Sequence, residues 1–359
     1  MPNAMKIALI IGGNKWFCPF IEIYTKVLAA QNIEYDILYW DKTNTERSPL
    51  SYNLPANDTD CLLRKFINYF RYASYLKKTI KKNAYDRLIV FNSVCGIFLY
   101  SFLRKKYRNK FIFDYRDLSI EQYVFFKPIF KRLLSISQLN VISSPGFKKC
   151  LPDNFNYIMS HNFDIDIVRD AISKPSLFQK INLDKIDVLT IGGIRDFESN
   201  IEVVDALANK SDFHMRFVGK GLASESIRDY CGRHNIRNVM FYGYYEKKDE
   251  AAFIHEASFL NIYYPSIISH STALSNRFYN ALIYKTPMIV KADSIQGDYV
   301  QKYGLGIVAE DCADLDVKLH EYLRDVNFEI FCNRANALLL SFIKDYDYFL
   351  KKVQEFVNI

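Results

Sequence analysis

A chain of 359 residues, half of them apolar and 24% charged, is longer than one hydrophobic core usually serves and suits two globular domains. Its formal net charge is +7, and its seven cysteines and six histidines show no CxxC spacing and no histidine pair at i, i+4; neither a disulfide framework nor a metal centre is expected, and the cysteines read as small buried hydrophobes in a reducing cytosol. No stretch approaches the roughly 18 to 20 apolar residues that would span a bilayer, and the start of the chain lacks the charged, apolar, small-residue order of a secretory signal, which makes the cytoplasm the expected compartment.

The run Lys6-Ile7-Ala8-Leu9-Ile10-Ile11 is apolar after its first residue and stops at Gly12-Gly13, and Phe20 to Gln31 then has helical periodicity. That is a buried parallel strand, a loop and a helix. Tyr35 to Trp40 repeats the strand pattern. Between Leu62 and Lys110 stand thirteen Lys or Arg against the single acid Asp86, so the rest of the chain is net acidic. Within that stretch Arg64-Lys65-Phe66-Ile67-Asn68-Tyr69-Phe70-Arg71 interleaves cations with aromatics, the composition of a surface that meets anionic lipid headgroups. A solvated helix face has the same composition, and no nucleic-acid partner is expected because no recognition motif accompanies the charge. Asp86 to Phe91, Phe111 to Asp114 and Asn140 to Ser143 read as further strands, with Gly96 to Arg104 helical. The alternation predicts a doubly wound α/β domain over residues 1–165.

Ser160 to Asp184 shows no clear strand, carries Lys174-Pro175-Ser176, and reads as the interdomain connection. A second series of strands follows in Asp187-Val188-Leu189-Thr190-Ile191, Met215 to Val218, Val239 to Gly243, Phe259 to Tyr263 and Pro287 to Val290. It predicts a second doubly wound domain over 166–332. From Asn333 the pattern is helical, and Tyr346, Phe349, Leu350, Val353 and Phe356 form an apolar stripe that must dock on a core.

Paired glycines close the first strand of each series, Gly12-Gly13 and Gly192-Gly193. Ligands of open parallel sheets bind beyond the carboxyl ends of strands at a topological switch point, where glycine lets them approach the backbone. Neither pair extends to GxGxxG, which argues against NAD or FAD. Gly193 is followed by Ile194-Arg195-Asp196, and the next strand leads into Val218-Gly219-Lys220-Gly221, so Arg195 and Lys220 are candidates to face a diphosphate from adjacent strand ends; surface salt bridges are the competing reading. The segment Thr272-Ala273-Leu274-Ser275-Asn276-Arg277-Phe278-Tyr279-Asn280-Ala281-Leu282 places Ser275 or Thr272 as N-cap of a helix. Its free amides and partial positive charge suit a diphosphate oxygen, with Arg277 adding a full charge.

With these residues assembled, the chain resembles the GT-B glycosyltransferases, in particular the group-1 (GT4-like) enzymes of bacterial capsule, exopolysaccharide and O-antigen assembly. The resemblance also takes in Phe113-Asp114-Tyr115-Arg116-Asp117, Ser143-Ser144-Pro145-Gly146-Phe147 and His161-Asn162-Phe163. It implies two Rossmann-like domains facing across a cleft. The second, 166–332, would bind the nucleotide-sugar donor, and the first, 1–165 completed by the terminal helix 333–359, would bind a glycan or polyprenyl-linked acceptor. Gly193, Arg195, Gly219, Lys220, Ser275, Asn276 and Arg277 would contact the donor, and Gly13 would lie where donor and acceptor meet. Many such enzymes carry two Glu separated by seven residues across the last loop and helix, the second holding the ribose hydroxyls. Thr272 and Asn280 stand in those places, so an uncharged amide, Asn280, would meet the ribose.

Glycosyl transfer develops negative charge on the departing diphosphate, which Arg195, Lys220 and the helix start would stabilise with no bound cofactor or metal. An inverting enzyme needs a base for the acceptor hydroxyl, for which Asp117 is the candidate; a retaining enzyme needs none. An internal ion pair within Asp114-Tyr115-Arg116-Asp117 is the competing role. A noncatalytic GT-B-like subunit and a sugar-nucleotide epimerase of the same architecture are the alternatives, and a place on the inner face of the plasma membrane would match the basic, aromatic stretch.

Overall fold

A computed structural model of the chain describes residues 5–57, 60–174 and 182–358; Pro175 and Ser176 of the expected connection lie outside them. The chain divides into two compact units, Met1–Asn162 with Lys344–Ile359, and Phe163–Ile343.

The first unit is built on β1 (Lys6–Ile11), α1 (Ile21–Ala30), β2 (Glu34–Asp41), β3 (Ser51–Asn53), α2 (Leu62–Asn83), β4 (Arg87–Phe91), α3 (Ser93–Lys106), β5 (Phe111–Tyr115), α4 (Lys127–Ile136), β6 (Leu139–Ile142) and β7 (Tyr157–Met159). The strands form one parallel sheet in the order β3-β2-β1-β4-β5-β6-β7. β1, β4 and β5 are buried almost throughout, as expected of strands with helices on both faces. α2 buries Asn68, Tyr72, Ala73, Leu76 and Ile80, positions three and four apart that form one stripe, while Arg64, Arg71, Lys78, Lys81 and Lys82 stay exposed.

The second unit contains α5 (Ile165–Ser173), β8 (Ile186–Ile191), α6 (Phe197–Leu207), β9 (Phe213–Val218), α7 (Ser224–Arg233), β10 (Val239–Gly243), α8 (Glu250–His255), β11 (Phe259–Ile262), α9 (Ile268–Ser271), α10 (Asn276–Ile283), β12 (Met288–Lys291), α11 (Ile295–Tyr303), β13 (Gly306–Ala309) and α12 (Leu315–Asp325). Its parallel sheet runs β10-β9-β8-β11-β12-β13. The strand residues alternate between two cores, which is what double winding requires. Leu189, Ile191, Leu260 and Ile262 pack with Phe278 and Leu282 of α10 on one face. Ile186, Val188, Phe213 and Met215 pack with Val204, Ile227 and Leu319 on the other.

The chain ends in α13 (Phe328–Asn358), which starts five residues earlier than its sequence pattern. Its first half, through Phe331, Ala335, Leu338 and Phe342, belongs to the second unit's core. Phe349, Val353 and Phe356 of the apolar stripe are buried in the first unit's core, with Ile7, Leu9, Tyr24 and Leu28. Each such large side chain contributes about 1.5–3 kcal/mol by leaving water.

Three strands escape the sequence pattern. β3, β7 and β13 are three or four residues long and stand at sheet edges, where half-exposed strands need no continuous apolar run. The connection after Ser160 holds one helix, α5, whose N-cap Asp164 accepts from the Asp166 amide. Two cysteines depart from the buried reading: Cys61 and Cys150 are exposed, and all seven are free thiols.

Candidate functional site

In an open parallel sheet the crossovers leave in opposite directions from one adjacent pair of strands, and a crevice opens beyond the carboxyl ends of that pair. The strand orders put the pair at β1 and β4 in the first unit and at β8 and β11 in the second.

At the second switch point the β8 loop lies directly on the β9 loop. Gly192 N donates to Val218 O at 2.8 Å and Ile194 N to Lys220 O at 3.3 Å. The fit leaves no room for a side chain: a Cβ on Gly219, whose φ is +128°, would stand 2.0 Å from the Gly192 carbonyl oxygen. Gly219, expected among the donor contacts, is therefore a glycine because backbone meets backbone there. Arg195 and Lys220 are both exposed, on two loops that are hydrogen-bonded to each other. Arg195 folds back along exposed Gly193, its Nε 3.4 Å from where a Cβ on that glycine would be.

α10 begins where the sequence places it. Ser275 is its N-cap, the hydroxyl accepting from the Phe278 amide at 3.2 Å. Thr272 instead closes α9, donating to Ile268 O at 2.7 Å. The Ser275 hydroxyl also donates to Gln296 Oε1 at 2.7 Å, so its hydrogen-bonding capacity is committed to the fold rather than to a ligand. Asn276 is the exposed first residue of the helix.

Arg277 needs a larger correction. Expected at the helix tip facing a phosphate, it is only 7% exposed. Its Nε donates to Ile191 O, Nη1 to Asn261 O at 3.1 Å and Nη2 to Gly193 O at 3.0 Å. Three of its five N–H groups thus satisfy carbonyls at and just beyond the ends of β8 and β11, and the guanidinium lies 5.4 Å from the Tyr264 ring centre. Arg277 holds the two strand ends and α10 together and places its charge beneath the Gly193 loop.

Asn280 donates from Nδ2 to Glu250 Oε2 at 3.0 Å. Glu250 opens α8, is 6% exposed, and accepts the Tyr245 hydroxyl at 2.8 Å and the Lys247 ammonium. The Tyr245 hydroxyl oxygen lies 3.9 Å from the Cβ position of Gly192. Burial, then the neighbouring Glu250 charge, pushes the Tyr245 phenol up, so it remains a donor at neutral pH. Neither Glu250 nor Tyr245 is singled out by the sequence, because Glu246-Lys247-Lys248-Asp249-Glu250 has the composition of a solvated charged loop.

In the first unit the loop after Gly12-Gly13 is tied down by its neighbours. Asn14 is buried and donates to Asp41 Oδ1 and Thr43 Oγ1, both at 2.8 Å, while Glu46 accepts the Lys15 and Trp16 amides at 2.8 and 3.0 Å. A Cβ on Gly13 would meet nothing within 4 Å. Beyond it Trp16 and Phe17 stand exposed as an aromatic pair, their ring centres 3.5 Å apart. Asp117 is exposed on the loop after β5; burial, then the charge of Asp117, pushes the Cys18 thiol up to about 12. Asp114 is wholly buried, accepting Tyr24 OH at 2.6 Å and Arg116 Nη2 at 2.7 Å. Arg116 also donates to the carbonyl and hydroxyl of Ser160. An ion pair within Asp114-Tyr115-Arg116-Asp117 therefore joins Arg116 to Asp114.

No protein-family model and no curated protein matches the sequence. Solved structures do match over nearly the whole chain. HepE of Anabaena in complex with UDP has a TM-score of 0.65 at 12% identity, covering 98% of this chain and 100% of its own. Sucrose-phosphate synthase of Thermosynechococcus elongatus has 0.63 at 16% identity, covering 98% and 95%. WaaG, a glycosyltransferase involved in lipopolysaccharide biosynthesis, has 0.60 at 14% identity, covering 92% and 94%.

The fold is GT-B. The two parallel sheets and the helical carboxyl terminus agree with the architecture expected from the sequence, and at these identities the likeness is one of fold. The candidate donor residues of this GT-B chain then separate by physical role. Gly193, Arg195, Lys220 and Asn276 present exposed groups at the second switch point, whereas Gly219, Ser275 and Arg277 build the crevice itself.

Proposed function

We propose that this protein is a glycosyltransferase that binds a nucleotide-sugar donor at the carboxyl ends of β8 and β11, beside the loop after β9. It transfers the sugar to a lipid-linked or polysaccharide acceptor in bacterial cell-surface glycan biosynthesis. The observation that carries the reading is the grouping at the second switch point, where Gly193 lies under the Arg195 side chain, Lys220 stands on the adjoining loop, and the Arg277 charge lies below. HepE, alike in fold, has been crystallised with UDP and with UDP-glucose.

In the reaction the bond between the anomeric carbon and the diphosphate oxygen breaks, the electron pair leaves with the diphosphate, and the acceptor oxygen forms the new glycosidic bond. Arg195 and Lys220 stabilise the negative charge on the leaving group, and the amides at the start of α10 add a partial positive charge. With inversion, the acceptor proton passes to Asp117. Asp114 is unsuited, because its carboxylate is wholly buried and held by Tyr24 and Arg116.

The first unit offers a surface suited to a peripheral protein on the inner face of an anionic membrane. α2 exposes Leu62, Leu63 and Phe70 by 68%, 72% and 62%, and the segment before α4 exposes Val124 and Phe125 by 75% and 88%. Phe66 of α2 stacks on Phe126 with ring centres 5.9 Å apart, which makes the two segments one patch. Among the described residues no helix is long and apolar enough to cross a membrane, so contact would be superficial, with aromatics at the interface and lysines and arginines toward headgroups.

The test is a thermal-shift screen of the purified protein against UDP, GDP, TDP and CMP sugars. A donor that binds only the folded state raises the melting temperature by mass action, and the absence of any shift overturns the reading. Transfer or hydrolysis of the sugar from the donor that binds then separates an active enzyme from a noncatalytic subunit.

A further inference from the structure

We infer that Glu250 is the group that receives the ribose hydroxyls of the donor. The inference rests on the donor reading above and adds to it the residue that selects a ribonucleotide. A carboxylate this deeply buried loses solvation that its partners must replace. Two of its partners are neutral: the Tyr245 hydroxyl on Oε1 and the Asn280 amide on Oε2. The third, Lys247, is 75% exposed and reaches back from three residues upstream. It is therefore the partner most easily exchanged. A carboxylate offers about four acceptor positions, and with Lys247 displaced two of them suit the two O–H donors of a ribose diol.

Position points the same way. The Tyr245 hydroxyl lies against Gly192, and Asn280 follows Arg277 by three residues on α10, with Arg277 bonded to Gly193 O. The carboxylate thus stands beside the loop that faces the diphosphate. An acid near a switch point that accepts from ribose hydroxyls is a recurring solution in doubly wound folds. Asn280, half-buried, spends one amide hydrogen on Glu250 and keeps its Oδ1 as a second acceptor.

Isothermal titration of the full-length protein with UDP, GDP and ADP, each paired with its 2′,3′-dideoxy counterpart, tests the assignment. At least one ribonucleoside diphosphate should bind, and its dideoxy form should bind about 10- to 100-fold more weakly, the value of one charge-assisted hydrogen bond. In Glu250→Gln the ribonucleotide should weaken to the dideoxy level while the dideoxy affinity stays as in the native protein. The double variant Glu250→Gln/Asn280→Glu, which carries the carboxylate across the hydrogen bond onto α10, should restore discrimination. Lys247→Ala, at an exposed position that folding tolerates, should tighten the ribonucleotide alone. A merely structural Glu250 would weaken both ligands together. Equal binding of the paired ligands by the native protein, discrimination that survives in Glu250→Gln, or a Lys247→Ala effect shared by both ligands overturns this inference and leaves the donor site standing. Failure of UDP, GDP and ADP all to bind overturns this inference, and the donor reading falls with it only where the screen of nucleotide sugars also gives no shift.

Discussion

Replacing Arg277 by Ala should unfold the second unit more readily before it changes any chemistry. The side chain donates to three backbone carbonyls, those of Ile191, Asn261 and Gly193. Ile191 and Asn261 are buried, while Gly193 is exposed and water can replace the arginine there. A buried acceptor left without a donor costs about 1–3 kcal/mol, so two of them cost about 2–6 kcal/mol, with about 4 kcal/mol the expected value. Against the roughly 5–15 kcal/mol that holds a domain together, that is a large fraction.

Urea unfolding followed by circular dichroism reads this loss directly. With a slope of about 2 kcal/mol per molar, the midpoint should fall by about 2 M at unchanged slope. Arg277→Lys should recover only part of it, because an ammonium lacks the planar fork that reaches three carbonyls at once. Arg195→Ala is the contrasting case. This exposed side chain should cost less than about 0.5 kcal/mol of stability, yet lower turnover by about 10- to 1000-fold as a lost stabiliser of leaving-group charge. If Arg277→Ala keeps its unfolding midpoint and loses only nucleotide binding, the division between crevice-building and ligand-facing arginines is wrong.

Gly219→Ala should misfold or lose more than about 2 kcal/mol, since the added carbon would stand 2.0 Å from the Gly192 oxygen at a φ of +128°; a soluble variant with the native melting temperature would refute the backbone reading. His161 is buried and burial holds its pKa below the ordinary 6.5, although Asp345 pulls it upward. The unfolded chain therefore binds a proton near pH 6.5 that the folded chain refuses, and this contribution to stability is complete above that pH and lost as pH falls below it. The melting temperature should drop less between pH 7.5 and 5.5 in His161→Gln than in the native protein, and equal drops would refute the assignment. Val124→Asp/Phe125→Asp should abolish flotation with anionic vesicles without altering nucleotide binding; flotation of the native protein that ignores anionic lipid content would remove the membrane surface.

Most of the fold is legible in the sequence because double winding leaves a simple mark. Buried parallel strands are continuous apolar runs, such as Ile7-Ala8-Leu9-Ile10-Ile11, and helices pack one stripe, as Phe349, Val353 and Phe356 do in α13. Edge strands of three or four residues leave no such mark, which is why β3, β7 and β13 are not read while the longer edge strand β10 is. The loop functions are legible only in part. Gly219 looks like a glycine awaiting a phosphate, and its actual neighbour, the Gly192 carbonyl, lies on another strand's loop. Glu250 is hidden for the same reason: its contact with Asn280 spans thirty residues and joins two helices, a relation that periodicity within one element cannot carry.

The residues around this crevice look alike in sequence because the sheet and its ligand ask for the same chemistry. At a switch point β8 and β11 stop while their crossovers diverge, and the carbonyls of Ile191, Asn261 and Gly193 are taken up by Arg277 rather than by a continuing ladder. Buried carbonyls must find donors, and a diphosphate, being an acceptor, wants donors too. Cations and helix starts are therefore drawn to the spot for both reasons. Exposure separates them: a donor already turned onto the backbone at the strand ends, as in Arg277, is needed whether or not a ligand is bound, while Arg195 and Lys220 stand exposed on their loops. If a nucleoside diphosphate is held here, its phosphates should therefore follow the exposed cations, and its ribose should follow Glu250, a buried acid covered by the exposed Lys247.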